Sequence, residues 1–184
     1  MPDKATIVHE ETSRKGYGAL RTGRHSSPGA DYFITICAER PSVVLENDDV
    51  KRRCFTEIQR LEDESHWLVR CATIMPDHLH VLVTLGSVTD LSSTLRLFKG
   101  RLSPLLRKHD SHWQKSFYDH RLRADEDRLP VFLYIFLNPF RKKLIPVDNK
   151  WSGYYCSAND WNWFGPLTNE SCPEPMWLSE SSRA

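Results

Sequence analysis

The chain has 184 residues, of which 40% are hydrophobic and 27% charged, and its formal net charge at pH 7 is +1. This length and composition predict one globular domain with flanking segments. The balanced charge excludes a globally basic surface, so any nucleic acid must be met by a local patch. No apolar run approaches the roughly 20 residues of a membrane span, and no signal peptide is evident after Met1.

The five cysteines are odd in number and show neither Cys-x-x-Cys nor zinc-finger spacing. An odd set without pairing patterns argues against a disulfide framework, so we expect reduced thiols and a cytoplasmic protein.

Residues 1–30 are polar, contain several glycines and show no helical or strand period. Basic side chains interrupt the small residues at Arg21, Arg24 and His25. A basic arm of this kind can follow a phosphate backbone, whereas a floppy terminus is the simpler alternative.

The next segments alternate between strand and helix patterns. Residues 32–38 are β-branched and aromatic and predict a first strand. A helix begins at Asn47 and runs to about Asp63, with apolar residues at helical spacing. Residues 67–74 predict a second strand, which the Pro-Asp turn of residues 75–77 returns into a third, antiparallel strand.

The third strand carries two histidines separated by one residue, His78 and His80. Side chains alternate along a strand, so both imidazoles point to one face, and the opposite face is wholly apolar. Two parallel imidazoles on a rigid strand make half of a divalent-metal site. The alternative is a pair of half-exposed histidines without a ligand.

A second helix is predicted after the cap at residues 89–90, with an apolar stripe and no acid between Asp90 and Asp110. Its basic residues form either a solvated face or, as we favour, a face that follows a polyanion. They are Arg96, Lys99, Arg101, Arg107 and Lys108. Gly100 and Pro104 are expected to loosen or kink this helix.

A short fourth strand at about residues 115–121 completes the order β-α-β-β-α-β, which is typical of an α+β, ferredoxin-like antiparallel sheet with helices on one face. The histidine strand then lies between the first and second strands. Its imidazoles are expected on the open face, opposite the helices.

One more helix is predicted from about residue 125, where acidic residues suit a helix N-terminus, to about Pro139. Tyr134 and Asn138 are four residues apart and therefore share a face of it. Arg141 and Lys142 add a basic cluster. In the aromatic-rich tail of residues 151–184, the aromatic residues at 151–164 are expected to dock on the core rather than stack on bases, and residues 170–184 to be disordered or loosely attached.

These residues suggest phosphodiester chemistry. His78, His80 and the Asn138 amide suit Mg²⁺ or Mn²⁺ better than a closed structural zinc site. Beside such an ion, Tyr134 could attack phosphorus, leaving a phosphotyrosine and a free 3′-hydroxyl. The alternatives are a core tyrosine at 134, Tyr118 as a rival nucleophile, and Tyr154 or Tyr155 as weaker rivals.

Several blocks of the sequence, in one order, resemble a known family. Met-Pro-Asp-His-Leu-His-Val-Leu-Val at residues 75–83 resembles the His-hydrophobe-His motif of the single-tyrosine HUH transposases. Residues 134–142 resemble their Tyr-Ile-x-x-Asn-Pro-x-Arg block. Residues 23–35, 98–103 and 113–120 resemble blocks of the REP-associated, IS200-like tyrosine transposase branch. The match covers about residues 20–150, and it departs from the family pattern at Phe140 and at residues 142–143.

The resemblance implies a ferredoxin-like catalytic domain at residues 31–150 that acts on single-stranded DNA with palindromic hairpins, as a monomer or homodimer in the bacterial cytoplasm. By the same resemblance, His78, His80 and Asn138 are metal ligands and Tyr134 is the nucleophile. The basic arm is expected at the DNA flanking the hairpin, and the basic helix near the hairpin itself. The candidate DNA-binding residues are Arg21, Arg24, His25, Arg96, Lys99, Arg101, Arg107, Lys108, Lys115, Arg141 and Lys142.

Two other functions fit the same residues. One is a hairpin-binding protein that does not cut DNA. The other is a metal-dependent hydrolase of a small phosphoester, for which neither DNA affinity nor Tyr134 would matter.

Overall fold

The computed structural model describes residues 26–39, 42–147 and 149–168. The predicted arm residues Arg21, Arg24 and His25 therefore lie outside the described residues. The strands are β1 (Asp31–Cys37), β2 (Trp67–Ile74), β3 (His78–Leu85), β4 (Tyr118–Arg121) and β5 (Tyr154–Cys156). The helices are α1 (Asp48–Asp63), α2 (Leu91–Arg107), α3 (Leu129–Arg141) and α4 (Ala158–Phe164).

The five strands form one antiparallel sheet in the order β4-β1-β3-β2-β5. The first four strands and two helices follow the predicted β-α-β-β-α-β order, and β3 lies between β1 and β2 as predicted. β5 extends the sheet beyond β2, an addition that the sequence pattern did not predict. In the part of the chain that the structure describes, no helix is long and apolar enough to cross a membrane.

The larger core lies between one face of the sheet and the pair α1 and α2. The apolar side of β3 enters it, with Val81 and Val83 fully buried. The Asn47 side chain caps α1 by accepting hydrogen bonds from the backbone N–H groups of Asp49 and Val50, at 3.0 and 3.2 Å. The face of the sheet that packs against α1 and α2 therefore serves to stabilise the fold.

Helix α2 is not interrupted at Gly100 and Pro104, because it is continuous from Leu91 to Arg107 with both residues inside it. The expected loosening or kink stays a prediction. The Ser103 hydroxyl donates to the Lys99 carbonyl at 2.6 Å in the turn before the proline. Buried side chains on both sides of this turn, such as Phe98 and Leu102, hold the helix against the sheet. Tertiary packing here overrides the local cost of glycine and proline.

The sequence predicted that the histidine face of the sheet is open. In the structure, α3 and α4 partly cover this face. A second, smaller core fills this space, with Leu82 of β3, Phe132 and Ile135 of α3, and Phe164 of α4 all buried. Because α3 carries this apolar face, it must lie across the sheet beside the histidines.

The end of α3 also differs from the prediction. The helix begins at Leu129, with Pro130 in its first turn, and continues through Pro139 to Arg141. The backbone N–H of Lys142 donates to the Asn138 carbonyl at 3.0 Å, so the ladder resumes after the proline. Pro139 has no N–H and so removes one hydrogen bond of the ladder, and the helix ends two residues later at Arg141.

The described part of the C-terminal segment, residues 151–168, docks on the domain, as the sequence predicted for its aromatic residues. The expectation for residues 170–184 lies outside the described residues. The anchor of the docked segment is Asp160, which is only 2% exposed. Its carboxylate accepts hydrogen bonds from the Arg70 guanidinium at 2.7 Å, the Ser157 hydroxyl at 2.6 Å and the Trp163 indole at 3.3 Å. This cluster ties α4 to strand β2.

We expect Asp160→Ala to lower the free energy of unfolding by roughly 1.5–3 kcal/mol, since it leaves the half-buried Arg70 without its carboxylate. Urea unfolding measures the change. Asp160→Asn should lose less, because it keeps an acceptor, and the exposed Asp125→Ala serves as the control. Equal stability of all three variants would contradict the anchoring role.

Candidate active site

The two predicted histidines meet at a single point. They project from the same side of β3, and their Nε2 atoms are 3.1 Å apart. His80 is 4% exposed, whereas His78 is half-buried and reaches solvent. Two ring nitrogens this close together can both coordinate a single cation.

The other nitrogen of each ring is held by a second residue. His78 Nδ1 lies 2.6 Å from Asp77 Oδ1, and His80 Nδ1 lies 2.8 Å from Thr35 Oγ1. Partners of this kind fix the ring orientation and leave the other nitrogen for an ion. Sequence reasoning missed both roles. Asp77 could have been found from its place beside the motif, but Thr35 is defined only by the pairing of β1 with β3.

His80 is kept neutral by its surroundings. Burial, and after it the neighbouring His78, lower the pKa of its imidazole to about 3, while the Asp77 carboxylate acts in the opposite direction. A neutral imidazole has a lone pair available for a cation, so His80 needs no deprotonation at neutral pH.

Tyr134 lies beside the histidines on α3. Its ring centroid is 5.1 Å from that of His80 and 5.6 Å from that of Phe33. Its side chain is 41% exposed, although Leu133 and Ile135 on either side are buried. It is therefore not a core tyrosine, and its phenol is accessible at the edge of the histidine site.

Asn138 is one helical turn beyond Tyr134 on α3 and is 5% exposed. Its role as a third ligand stays a prediction. Within the described ranges, no group of three His, Cys, Asp or Glu side chains could hold a metal. Two imidazoles, an amide oxygen and water are an open donor set, which suits Mg²⁺ or Mn²⁺ better than structural zinc.

The rival tyrosines occupy different environments. Tyr118 pairs with Thr35, which in turn pairs with His80, so Tyr118 lies in the same row of the sheet and is 59% exposed. Burial raises the pKa of the Tyr154 phenol far above its ordinary range. Burial also raises the pKa of Tyr155. Tyr118 is therefore the rival to be tested against Tyr134.

The predicted basic residues divide into two groups. Arg101 forms ion pairs with Glu57 and Glu64, both at 2.9 Å, and Lys99 donates to the carbonyl oxygens of Gln114 and Ser116. These contacts hold protein segments together on the face opposite the histidines. The other described candidates are exposed: Arg96, Arg107, Lys108, Lys115, Arg141 and Lys142. DNA binding by any of them stays a prediction.

Comparisons with known proteins agree with this architecture. A family model described as "Transposase IS200 like" matches residues 27–125. An uncharacterized protein of Haemophilus influenzae is 22% identical over 148 residues, covering 59% of this chain and 79% of that protein. A solved structure of a REP-associated tyrosine transposase bound to a REP hairpin superposes with a TM-score of 0.59 at 22% identity, covering 71% of this chain and 79% of that one.

The lowered pKa of His80 predicts a pH dependence of stability in metal-free protein. Between the unfolded pKa near 6.5 and the folded value of about 3, the unfolded chain binds more protons at this site. The free energy of unfolding should therefore fall as the pH drops through this window, by up to about 1.4 kcal/mol per pH unit. Urea unfolding in EDTA measures it.

His80→Gln should flatten this dependence, whereas exposed His109→Gln should leave it unchanged. An identical pH dependence in wild type and His80→Gln would contradict the assignment of a neutral, buried imidazole.

Proposed function

The chain belongs to the IS200-like transposase family, and on that premise we propose that it is a metal-dependent single-stranded DNA endonuclease and strand transferase acting on palindromic hairpin DNA. One observation carries the proposal: the exposed Tyr134 phenol lies beside a converging histidine pair, with ring centroids of Tyr134 and His80 5.1 Å apart. A nucleophile next to a cation site is the arrangement that phosphoryl transfer needs.

The donor set fits the expected cation. His78 and His80 would hold it through Nε2, with Asn138 supplying an amide oxygen and water completing the coordination. An Mg²⁺ or Mn²⁺ ion held there would supply positive charge that stabilises the charge developing on the phosphate. Asp77 and Thr35 keep the imidazoles aligned before the ion arrives, so little reorganisation is needed.

Tyr134 would perform the covalent step. Its phenolic oxygen attacks phosphorus, forming a tyrosyl–phosphate bond, while the bond from phosphorus to the 3′-oxygen breaks. The phenol loses its proton, and the departing 3′-oxygen gains one. The strand downstream of the cut stays attached to the protein through its 5′-phosphate, and attack by a 3′-hydroxyl reverses the step and joins strands.

A DNA substrate is supported by the exposure and charge of the site. Tyr134 is accessible from solvent, and Arg141 and Lys142 are exposed at the end of the same helix. The related transposase of known structure is bound to a hairpin. Cations beside the nucleophile would contact the phosphates that flank the cut.

We expect a covalent adduct when the protein is incubated with 3′-labelled hairpin oligonucleotides that carry single-stranded flanks, in the presence of Mn²⁺. Tyr134→Phe should abolish the adduct, because it removes the attacking oxygen but keeps the ring. Tyr118→Phe is the matched control and should retain it. Denaturing gels detect the labelled protein, and mass spectrometry of the adduct identifies the tyrosine.

An adduct on Tyr118 would keep the reaction class and overturn the site. Binding of the hairpin without any adduct would instead favour the non-cutting protein.

The ring-holding role of Asp77 predicts a metal-binding effect. Asp77→Asn should weaken Mn²⁺ binding about 10- to 100-fold, the usual cost of losing such a partner, and His78→Ala should weaken it further. Calorimetric titration of Mn²⁺ into the full chain measures this. The exposed Asp125→Asn should bind like wild type, and an unchanged affinity in Asp77→Asn would remove the proposed ring-holding role.

A further inference from the structure

A cavity of about 690 Å³ lies between the end of α3, residues 149–151 and α4, and the proposed chemistry does not use it. Its walls are mainly aromatic, with two asparagine side chains and a lysine among them. The residues that matter here are Phe136, Phe140, Trp161, Asn149, Asn162 and Lys150. Flat rings with polar groups at the edges are the surfaces on which nucleobases stack.

The aromatic walls are held in place by close backbone contacts. A Cβ at Gly165 would lie 2.8 Å from the Trp161 ring, so only glycine lets the indole lie this close to the chain. On the other side, the Trp151 indole donates to the Ile74 carbonyl at 3.1 Å, and a Cβ at Gly153 would come within 2.6 Å of its nitrogen. The cavity is thus preorganised, which lowers the entropic cost of binding.

Trp161 is the side chain best placed to meet a ligand. It is 42% exposed and lines the cavity, and its ring is 6.3 Å from that of Phe136. A core tryptophan would be buried, as Trp67 is at 2%. The exposed part of this indole therefore leaves a stacking surface available.

The cavity adjoins the proposed active site. Phe136 and Phe140 flank Asn138 on α3, the helix that also carries Tyr134. In the sheet, Thr73 pairs with His80 on one side and with Tyr154, another wall residue, on the other. The Tyr154 wall of the cavity and the histidine pair therefore lie on one face of the sheet, two strands apart.

Charge near the cavity also favours a nucleic acid. Residues 141–150 contain four cations, Arg141, Lys142, Lys143 and Lys150, and one acid, Asp148. The four cations could accompany the phosphates on either side of a bound base. An apolar peptide segment would not need them.

We propose that this cavity receives an unstacked nucleobase from the single-stranded part of the DNA substrate, and stacks it on Trp161. The proposal rests on the proposed function, since it names a second contact for the same strand. Asn149 and Asn162 supply donors and acceptors for the edge of the base, and Lys150 supplies a contact for its phosphate.

The test separates base stacking from charge. Binding of a fluorescent 20-nucleotide oligothymidine is compared with binding of an abasic strand of equal length, by anisotropy in EDTA so that no cleavage occurs. Trp161→Ala should weaken oligothymidine binding roughly 5- to 100-fold, which is the usual range for losing one stacked base. Binding of the abasic strand should stay unchanged, and Trp161→Phe should restore much of the affinity.

Trp163→Ala is the matched control. It lies two residues away and is 40% exposed, but its ring packs on Phe132 and does not line this cavity. Equal losses in the two alanine variants would overturn the assignment, as would wild-type protein that binds the abasic strand as well as oligothymidine. So would a Trp161→Ala variant that unfolds at lower urea but binds oligothymidine normally, because the cavity would then be only structural.

The two proposals fail separately. Loss of oligothymidine binding in Trp161→Ala, together with no covalent adduct in wild type, would support base binding in the cavity and contradict the proposed nuclease activity. A covalent adduct on Tyr134, together with unchanged oligothymidine binding in Trp161→Ala, would support the nuclease activity and contradict base binding in the cavity.

Discussion

The meeting of the His78 and His80 Nε2 atoms, 3.1 Å apart, is the constraint on which the rest of the structure depends. It needs a strand, which places both rings on one face, and a neighbouring strand in register, which places Thr35 against the second ring. The orientation of the two rings is held by Asp77 and Thr35, which lie 2.6 and 2.8 Å from their Nδ1 atoms. The central position of β3 makes that register hard to change, since a shift by one residue would turn the histidines into the apolar core.

Helix α3 combines buried side chains with an exposed tyrosine in consecutive turns. Phe132 and Ile135 must be buried to hold the helix on the sheet, while Tyr134 must remain accessible. Helical geometry allows both, because neighbouring residues point about 100° apart and Tyr134 falls at the edge of the buried stripe. Continuing the helix past Pro139 keeps Asn138 in regular helix, one turn from Tyr134.

The sequence predicted the parts of this fold that depend on local patterns. The limits of β2 and the shared face of His78 and His80 follow from side-chain alternation, and both are confirmed. The pairing of β5 with β2 and the partners of Arg101 depend on contacts between distant segments, which no local pattern contains. Thr35 belongs to the same class, because its neighbour His80 is 45 residues away in the chain.

The structure adds information to the family assignment, because it describes site residues that lie outside the family match. The family match spans residues 27–125, which include His78 and His80 but not Tyr134 or Asn138. Family membership therefore does not by itself place Tyr134 beside the histidines. That placement comes from packing: the second core seats α3 across the histidine face, and the contact of Tyr134 with His80 follows. Since that core also includes Phe164, the C-terminal segment helps to position Tyr134 although it lies outside the family match.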